Sequence, residues 1–222
     1  GTGMNIWNPA LIARAFVFFA YPSQISGDTI WVAGLNSAKE KAMTVVDGFS
    51  GATPLGQAAN GAVEFTTTTG DPLNFMQMFI GNMPGSVGET STIAILLGAV
   101  LLIWTGVASW KIMVSAVAGA LAVGYLVNGL ADPGTYAAVP AYYHLVLGGF
   151  AFGAVFMATD PVTSARTEAG KWIYGILIGF MAIVIRVLNP GYPEGMMLAI
   201  LLMNGLAPAI DYFVVQRNIS KR

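Results

Sequence analysis

Five long apolar runs restrict what this chain can fold into more than any other feature of its sequence. A helix of about 20 apolar residues crosses the roughly 30 Å hydrocarbon core of a lipid bilayer. Each run is therefore predicted to be a transmembrane helix. A sixth run, residues 9–21, is too short to span unless preceding residues extend it. The five full runs are residues 92–110, 112–130, 142–159, 172–188 and 196–215.

The composition agrees with a membrane protein. Of the 222 residues, 55% are hydrophobic and only 9% are charged, whereas a soluble domain carries about 25% charged residues. The net charge of −1 argues against a nucleic-acid partner, and the absence of cysteine excludes disulfides and iron–sulfur ligands from this chain. We expect an all-α polytopic membrane protein with about five full transmembrane helices, a partial N-terminal helix and a long extramembrane loop.

The runs divide the chain into four parts. Residues 1–21 are predicted to be a partial or truncated membrane helix, and residues 22–88 an extramembrane loop rich in Gly, Thr, Ser and Asn. Unstructured loops of this length are uncommon unless they are functional. Residues 89–216 are predicted to form a five-helix bundle, and 217–222 a tail. Because the chain begins without Met or a charged leader segment, we expect earlier membrane segments to precede it.

The distribution of basic residues predicts an orientation. Five crossings place the cations near the ends of the spans on one side, which the positive-inside rule makes cytoplasmic. The C-terminal tail is then cytoplasmic and the long loop is periplasmic. These cations are Lys111, Arg166, Lys171, Arg217, Lys221 and Arg222.

Two aspartates lie within or at the end of apolar runs. Ionisable groups deep in a membrane are costly and by default mark ion pathways, paired charges or ligand sites. Asp160, in "FMATDPV", also fits a plain helix end at the interface. Asp211, in "NGLAPAIDYF", lies six residues before Arg217 and is also placed to reach headgroup water. The residues alone leave both interpretations open.

Four other ionisable groups need an explanation. Arg14 lies in the middle of the short apolar run at 9–21, where a charge by default marks a pathway, a partner or a ligand site. Arg186 is predicted to extend its charge to the external surface. Glu194 is predicted to favour the N-terminus of the last helix through the helix dipole. His144, the only histidine, receives no role.

Asn-Pro precedes an apolar helix twice, at 8–9 and at 189–190. In transporter folds built from repeats, half-helices of this kind place their ends near the midplane of the membrane, where the dipoles hold ligands. Proline is also an ordinary first residue of a helix, and this pattern leaves the choice open.

The long loop contains the string "DGFSGAT", which runs from Asp47 to Thr53. It resembles the flavinylation motif in the B subunit of the bacterial sodium-translocating NADH:quinone oxidoreductases, and in the D subunit of the related Rnf complexes. The resemblance covers nearly the whole chain and corresponds to roughly the second half of that B subunit. The segment "LNSAKEKAMT" at 35–44 looks like an addition to the family pattern. Further similar strings are "GTGMNIWNPALIARAFVFFAYPSQISGD", "FIGNMPGSVGETSTIA", "HLVLGGFAFGAVFMATDPVTS", "GKWIYGILIG" and "IRVLNPGYPEGMMLAIL", and within the last of these "NPGYPEGMMLAIL" favours the B subunit over its Rnf relative.

The resemblance implies that Thr53 carries FMN through a phosphoester on its hydroxyl. Asp47 and Ser50 would supply recognition and polar positioning. Gly51 and Ala52 would keep the approach to Thr53 uncrowded for a flavin transferase.

The resemblance also implies a non-covalently bound riboflavin and a sodium pathway. Asn5 and Asn8, at helical i, i+3 spacing, are the candidates for hydrogen bonds to the riboflavin, although helix capping and packing explain them equally well. Asp211 and Asp160 resemble carboxylates that are implicated in sodium handling in the family. Two aspartates do not complete a sodium site, so backbone carbonyls or another subunit would have to contribute.

The function that follows is electron transfer coupled to sodium translocation. The chain would be a membrane subunit in the bacterial inner membrane that relays electrons to riboflavin and ubiquinone. Its partners would be the other membrane and peripheral subunits of the complex, and NADH would bind elsewhere, because no dinucleotide-binding fingerprint occurs here. One alternative is a subunit of the Rnf type in a ferredoxin:NAD oxidoreductase. Another is a channel without redox chemistry, since the family fold is similar to one half of the inverted repeat of urea and ammonium transporters.

Overall fold

The computed structural model describes residues 5–22, 30–32, 49–51, 53–67, 70–132, 134–189 and 192–221. Within these ranges the chain is mainly helical, with one small antiparallel pair of strands, β1 (Ile30–Val32) and β2 (Phe49–Gly51). Single turns of 3₁₀-helix cover Tyr136–Ala138 and Ala141–Leu145, and a π-helical turn covers Gly153–Met157. The α-helices are α1 (Pro9–Ala20), α2 (Pro54–Ala59), α3 (Phe75–Ile80), α4 (Thr92–Trp104), α5 (Trp110–Asn128), α6 (Phe150–Phe152), α7 (Glu168–Leu188) and α8 (Met196–Ile219).

Three of the predicted spans are confirmed as long apolar helices. The helices α5, α7 and α8 have 19, 21 and 24 residues and are long and apolar enough to cross a bilayer. The helices α1 and α4 are apolar but shorter. The chain is therefore an all-α polytopic membrane protein. Its likeness to half of an inverted repeat stays a prediction.

The helix predicted for residues 92–110 ends at Trp104, six residues early. Gly106 follows with a φ of +72°, a backbone conformation that glycine adopts without strain. The amide of Gly106 donates to the carbonyl of Ile103 at 3.1 Å, and that of Val107 donates to the carbonyl of Leu102 at 3.1 Å. These two bonds are those of a Schellman motif, so Gly106 ends the helix inside an apolar run.

The prediction of one continuous helix over residues 142–159 is wrong. The segment begins as a 3₁₀ turn, changes direction at Gly148 (φ +59°), and continues as α6 and the π-helical turn. In a continuous helix the carbonyls of His144 and Leu147 would accept bonds from amides four residues later. Here both accept from the guanidinium of Arg186 instead. We call residues 144–149 the broken segment.

Helices α5 and α7 pack with their backbones close together. A Cβ on Gly119 would overlap the carbonyl oxygen of Ile176, and a Cβ on Gly179 would overlap that of Ala116. Small residues at helix contacts are typical of membrane proteins, where close backbone approach supplies much of the packing energy. The core of this bundle includes Ile112, Phe150, Tyr174, Ile178, Ile183, Met196 and Ile200.

A second buried cluster connects the long loop to the bundle, and we call it the loop core. It joins residues of the loop to residues of the broken segment and of the turn before it. Its buried members are Leu55, Ala58, Phe65, Leu73, Met78, Tyr136, Val139, Val146 and Leu147.

Candidate functional site

Thr53 is the N-cap residue of α2. Its side-chain oxygen accepts a hydrogen bond from the amide of Gly56 at 3.0 Å, and its carbonyl accepts from the amide of Gln57 at 2.8 Å. Threonine is favoured at an N-cap because its oxygen satisfies an amide that has no partner within the helix. Pro54 follows at the first helical position, where its fixed φ suits the helix. The start of α2 therefore fixes the position of this hydroxyl, and Thr53 remains only partly buried.

The motif before Thr53 is a paired strand. Ser50 and Gly51 belong to β2, where Ser50 lies opposite Trp31 and Gly51 opposite Ile30 of β1. Asp47, predicted to supply recognition, and Ala52, predicted to keep the approach to Thr53 uncrowded, lie outside the described residues. Thr53 is thus held between the end of a strand and the start of a helix, which is consistent with a surface position for its hydroxyl.

Helix α2 is anchored to the broken segment through the loop core. Leu55 and Ala58 are buried on the inner face of α2, together with Leu147 of the broken segment. Leu55 also lies against Gly148, because a Cβ on Gly148 would be 2.8 Å from Leu55 Cδ2. The position of Thr53 therefore depends on the shape of the broken segment.

Arg186 is buried, and the prediction that it extends to the external surface is wrong. The residue is 0% exposed. Nη1 donates to the carbonyl of His144 at 2.7 Å, Nη2 to that of Leu147 at 2.9 Å, and Nε to that of Glu194 at 2.9 Å. The planar fork of the guanidinium makes three directed bonds possible. Backbone dipoles thereby stabilise a charge that is buried in an apolar environment.

The sequence predicted that the Glu194 side chain interacts with the N-terminus of α8. The structure shows a different partner for that side chain. Its carboxylate Oε1 accepts from the amide of Gly149 at 2.9 Å, and the N-cap residue of α8 is Gly195. The broken segment supplies a better partner because its amides are not bonded within a helix.

A second carboxylate approaches the same glycine. Glu89 forms an ion pair with Arg14 at 3.0 Å, which supplies the partner that the sequence did not show for Arg14. A Cβ on Gly149 would lie 2.9 Å from Glu89 Oε2 and 2.8 Å from Glu194 Oε1. Both acidic side chains therefore converge on a position that only glycine leaves open.

His144 is buried beside Tyr136, with ring centroids 5.6 Å apart. His144 Nδ1 and the Tyr136 hydroxyl have no hydrogen-bond partner within the described part of the chain. Burial raises the pKa of Tyr136 to about 12, so its hydroxyl stays protonated at neutral pH. Tyr136 therefore adds a polar but uncharged group to the loop core.

The structure brings together two of the predicted site residues. Asn8 Nδ2 donates to Asp160 Oδ2 at 3.3 Å, while Asn8 Oδ1 accepts from the amides of Ala10 and Leu11 and so caps α1. The supposed helical spacing of the two asparagines is wrong, because Asn5 lies before α1 and is exposed. The other partners of the Asp160 carboxylate are the amide of Val162 at 3.0 Å and the hydroxyl of Thr163 at 2.9 Å.

Asp211 holds the start of α7. Its Oδ2 accepts from the amide of Arg166 at 2.7 Å, and its Oδ1 accepts from the amide and the hydroxyl of Thr167 at 3.0 and 2.6 Å. A carboxylate at a helix N-terminus is stabilised by these free amides and by the helix dipole. Asp211 and Asp160 have no common hydrogen-bond partner among these bonds.

Among the residues that the structure describes, no group of three or more His, Cys, Asp or Glu could hold a metal ion. A sodium site would need carbonyl or hydroxyl oxygens beside one carboxylate. Asp160 and Asp211 each have a threonine hydroxyl at the carboxylate, from Thr163 and Thr167 respectively. Asp160 accepts one backbone amide in addition, and Asp211 accepts two.

Comparison with known proteins finds one matching family model and several related B subunits. A model of the NQR2, RnfD, RnfE family matches residues 1–220. The chain is 52% identical over 225 residues to the B subunit of the Na(+)-translocating NADH-quinone reductase of Klebsiella pneumoniae (strain 342), covering 100% of this chain and 52% of that protein. The B subunits from Yersinia pestis and Pseudomonas aeruginosa (strain LESB58) are 53% and 52% identical over 225 and 223 residues, with the same coverage. The chain spans about half the length of these curated relatives.

Proposed function

Because the chain belongs to the NQR2, RnfD, RnfE family, we propose that it is the flavin-carrying membrane subunit of a sodium-translocating NADH:quinone oxidoreductase. The observation that supports this most is the position of Thr53. It is a partly buried hydroxyl at the end of the "DGFSGAT" motif, fixed by the start of α2.

The hydroxyl of Thr53 fits a phosphoester to FMN. The Oγ1–P bond replaces the Oγ1–H bond, and the proton leaves with the departing group of an activated flavin nucleotide. Threonine has no redox chemistry, so the bound flavin would carry the electrons while the protein sets its position and potential. The chain itself would supply an attachment point with a fixed position, because Thr53 lies between strand β2 and helix α2.

The matched pair of variants Thr53→Val and Thr53→Ser tests the attachment. Valine keeps the shape of threonine without the hydroxyl, whereas serine keeps the hydroxyl. We expect flavin fluorescence on a denaturing gel to disappear in Thr53→Val and to persist in Thr53→Ser. A Thr53→Val chain that keeps covalent flavin would contradict the proposal.

The non-covalent riboflavin would bind near the start of α1, where Asn8 and Asn5 lie. Sodium would be bound with the help of Asp160, whose carboxylate already accepts from Asn8 and from Thr163. Asp211 is the second candidate carboxylate, and its three bonds at the start of α7 favour a structural role there.

The remaining parts of the function lie outside this chain. NADH would be oxidised by another subunit, and ubiquinone would be the final acceptor. A flavin transferase would reach Thr53 from the periplasmic side of the bacterial inner membrane. The alternative of a ferredoxin:NAD oxidoreductase has less support, since the three relatives from Klebsiella, Yersinia and Pseudomonas are all named as parts of NADH-quinone reductases. Copurified partner subunits would distinguish the two.

A further inference from the structure

The three hydrogen bonds of Arg186 all go to backbone carbonyls and none to a carboxylate. Two of those carbonyls, of His144 and Leu147, lie on the broken segment. The guanidinium carbon also lies 5.7 Å from the ring centroid of Phe150, at the start of α6. Since a non-helical backbone within an apolar bundle needs internal partners for its polar groups, Arg186 maintains the shape of the broken segment.

The broken segment in turn supports α2. Leu147, whose carbonyl Arg186 binds, is fully buried in the loop core beside Leu55 and Ala58. Gly148 is in direct contact with Leu55. Thr53 is the N-cap of the same short helix. A continuous chain of packed groups therefore leads from the guanidinium to the hydroxyl of Thr53.

We infer that Arg186 is a positioning residue for the flavin carried on Thr53. It fixes the broken segment on which α2 docks, and thereby fixes the distance and orientation of the flavin relative to its electron-transfer partner. The inference rests on the proposed attachment of FMN to Thr53. A change of Arg186 would act on the flavin through Leu147, Gly148 and Leu55.

A purely structural role would change the amount of folded complex but no property of the flavin in the complex that remains. The test therefore uses the assembled oxidoreductase complex and normalises every signal to covalent flavin. Two properties are measured: the fluorescence anisotropy of the covalent flavin, and the rate of its reoxidation by the next acceptor in single-turnover stopped flow.

We expect Arg186→Met to retain covalent flavin, because Thr53 stays accessible, but to lower its anisotropy. Its reoxidation should slow by about tenfold or more, since small misplacements of reacting groups cost large factors in rate. Arg186→Lys should restore part of the rate, because an ammonium group donates to carbonyls but lacks the planar fork.

Leu55→Ala tests the contact between α2 and the broken segment. It leaves the carbonyls of His144 and Leu147 bound to Arg186, so it can be measured even if the Arg186→Met complex does not assemble. It removes the side chain that touches Gly148 and should also lower the anisotropy and the rate. Leu97→Ala is the matched control, because it makes the same chemical change on the exposed face of α4 and should change neither.

The outcomes separate this inference from the proposed function. A flavinylated Arg186→Met complex with unchanged anisotropy and rate would overturn the inference alone, and so would an unchanged Leu55→Ala complex. A wild-type chain without covalent flavin would overturn both.

Discussion

The side-chain amide of Asn8 donates to Asp160 Oδ2 at 3.3 Å, joining residues that are 152 positions apart. The same asparagine caps α1 with its oxygen, and the same aspartate binds the Thr163 hydroxyl. The start of α1 and the end of the π-helical segment are therefore held by one pair of side chains. A ligand that binds to either residue changes the hydrogen bonding of the other.

We predict that Asn8→Ala and Asp160→Asn both lower the content of non-covalent riboflavin in the purified complex. Asn8→Ala removes the donor and the cap, and Asp160→Asn weakens the acceptor that orients the Asn8 amide. Residues in contact have coupling energies of about 0.5–3 kcal/mol. The double variant should therefore lose less riboflavin than the sum of the losses in the two single variants. Riboflavin released by denaturation and measured by chromatography gives the result.

Asn82→Ala, at an exposed asparagine in the loop before α4, is the control for this experiment and should leave the riboflavin content unchanged. Strictly additive losses, or a normal riboflavin content in Asp160→Asn, would show that the two residues are not linked in cofactor binding.

Asp211→Asn should destabilise the fold by about 1 kcal/mol, because it weakens the cap of α7. For a chain of this size, that corresponds to a decrease of about 2–4 °C in the unfolding midpoint. Thermal unfolding of the purified protein in detergent measures it, with the exposed Asp132→Asn as the control. A variant with unchanged stability that has lost sodium-dependent activity would instead assign Asp211 to the ion pathway.

Gly149→Ala should be strongly destabilising, although alanine adds only one methyl group. That methyl would lie 2.8 Å from Glu194 Oε1 and 2.9 Å from Glu89 Oε2, so at least one carboxylate must move. Overpacking of this kind costs about 1–3 kcal/mol. The matched variant Gly129→Ala places its methyl at 3.5 Å from the nearest atom and should be tolerated. Equal unfolding midpoints for the two variants would contradict the convergence of the two carboxylates on Gly149.

Much of the fold follows from the sequence, because apolarity over 20 residues is a local property. The three long helices α5, α7 and α8 are confirmed near their predicted bounds. Apolarity did not distinguish a helix from the broken segment, since Gly148 and Gly149 are as compatible with close helix packing as with a turn. The adjacent pair Gly148-Gly149 is a local sign of the break, but the pair alone does not decide between a turn and a close helix contact.

The site could be predicted only in part. The motif predicts Thr53 as the attachment residue, and this stays a prediction, whereas the pair Thr53-Pro54 is a signal for the start of a helix, which the structure has there. The roles of Arg186 and Glu194 depend on carbonyls and amides that lie 39 to 45 positions away. No local sequence pattern predicts contacts over such separations. A charged side chain near the end of a membrane helix more commonly lies at the interface, which is what the sequence predicted for Arg186.

The central claim is that the hydroxyl of Thr53 carries FMN, and mass spectrometry of the natively matured protein tests it most directly. Trypsin releases the residue within one peptide, residues 42–111, because no Lys or Arg lies between Lys41 and Lys111. The account predicts that this peptide carries the added mass of an FMN phosphoester and that fragmentation assigns this mass to Thr53. An unmodified peptide from a protein matured beside its flavin transferase would contradict the account.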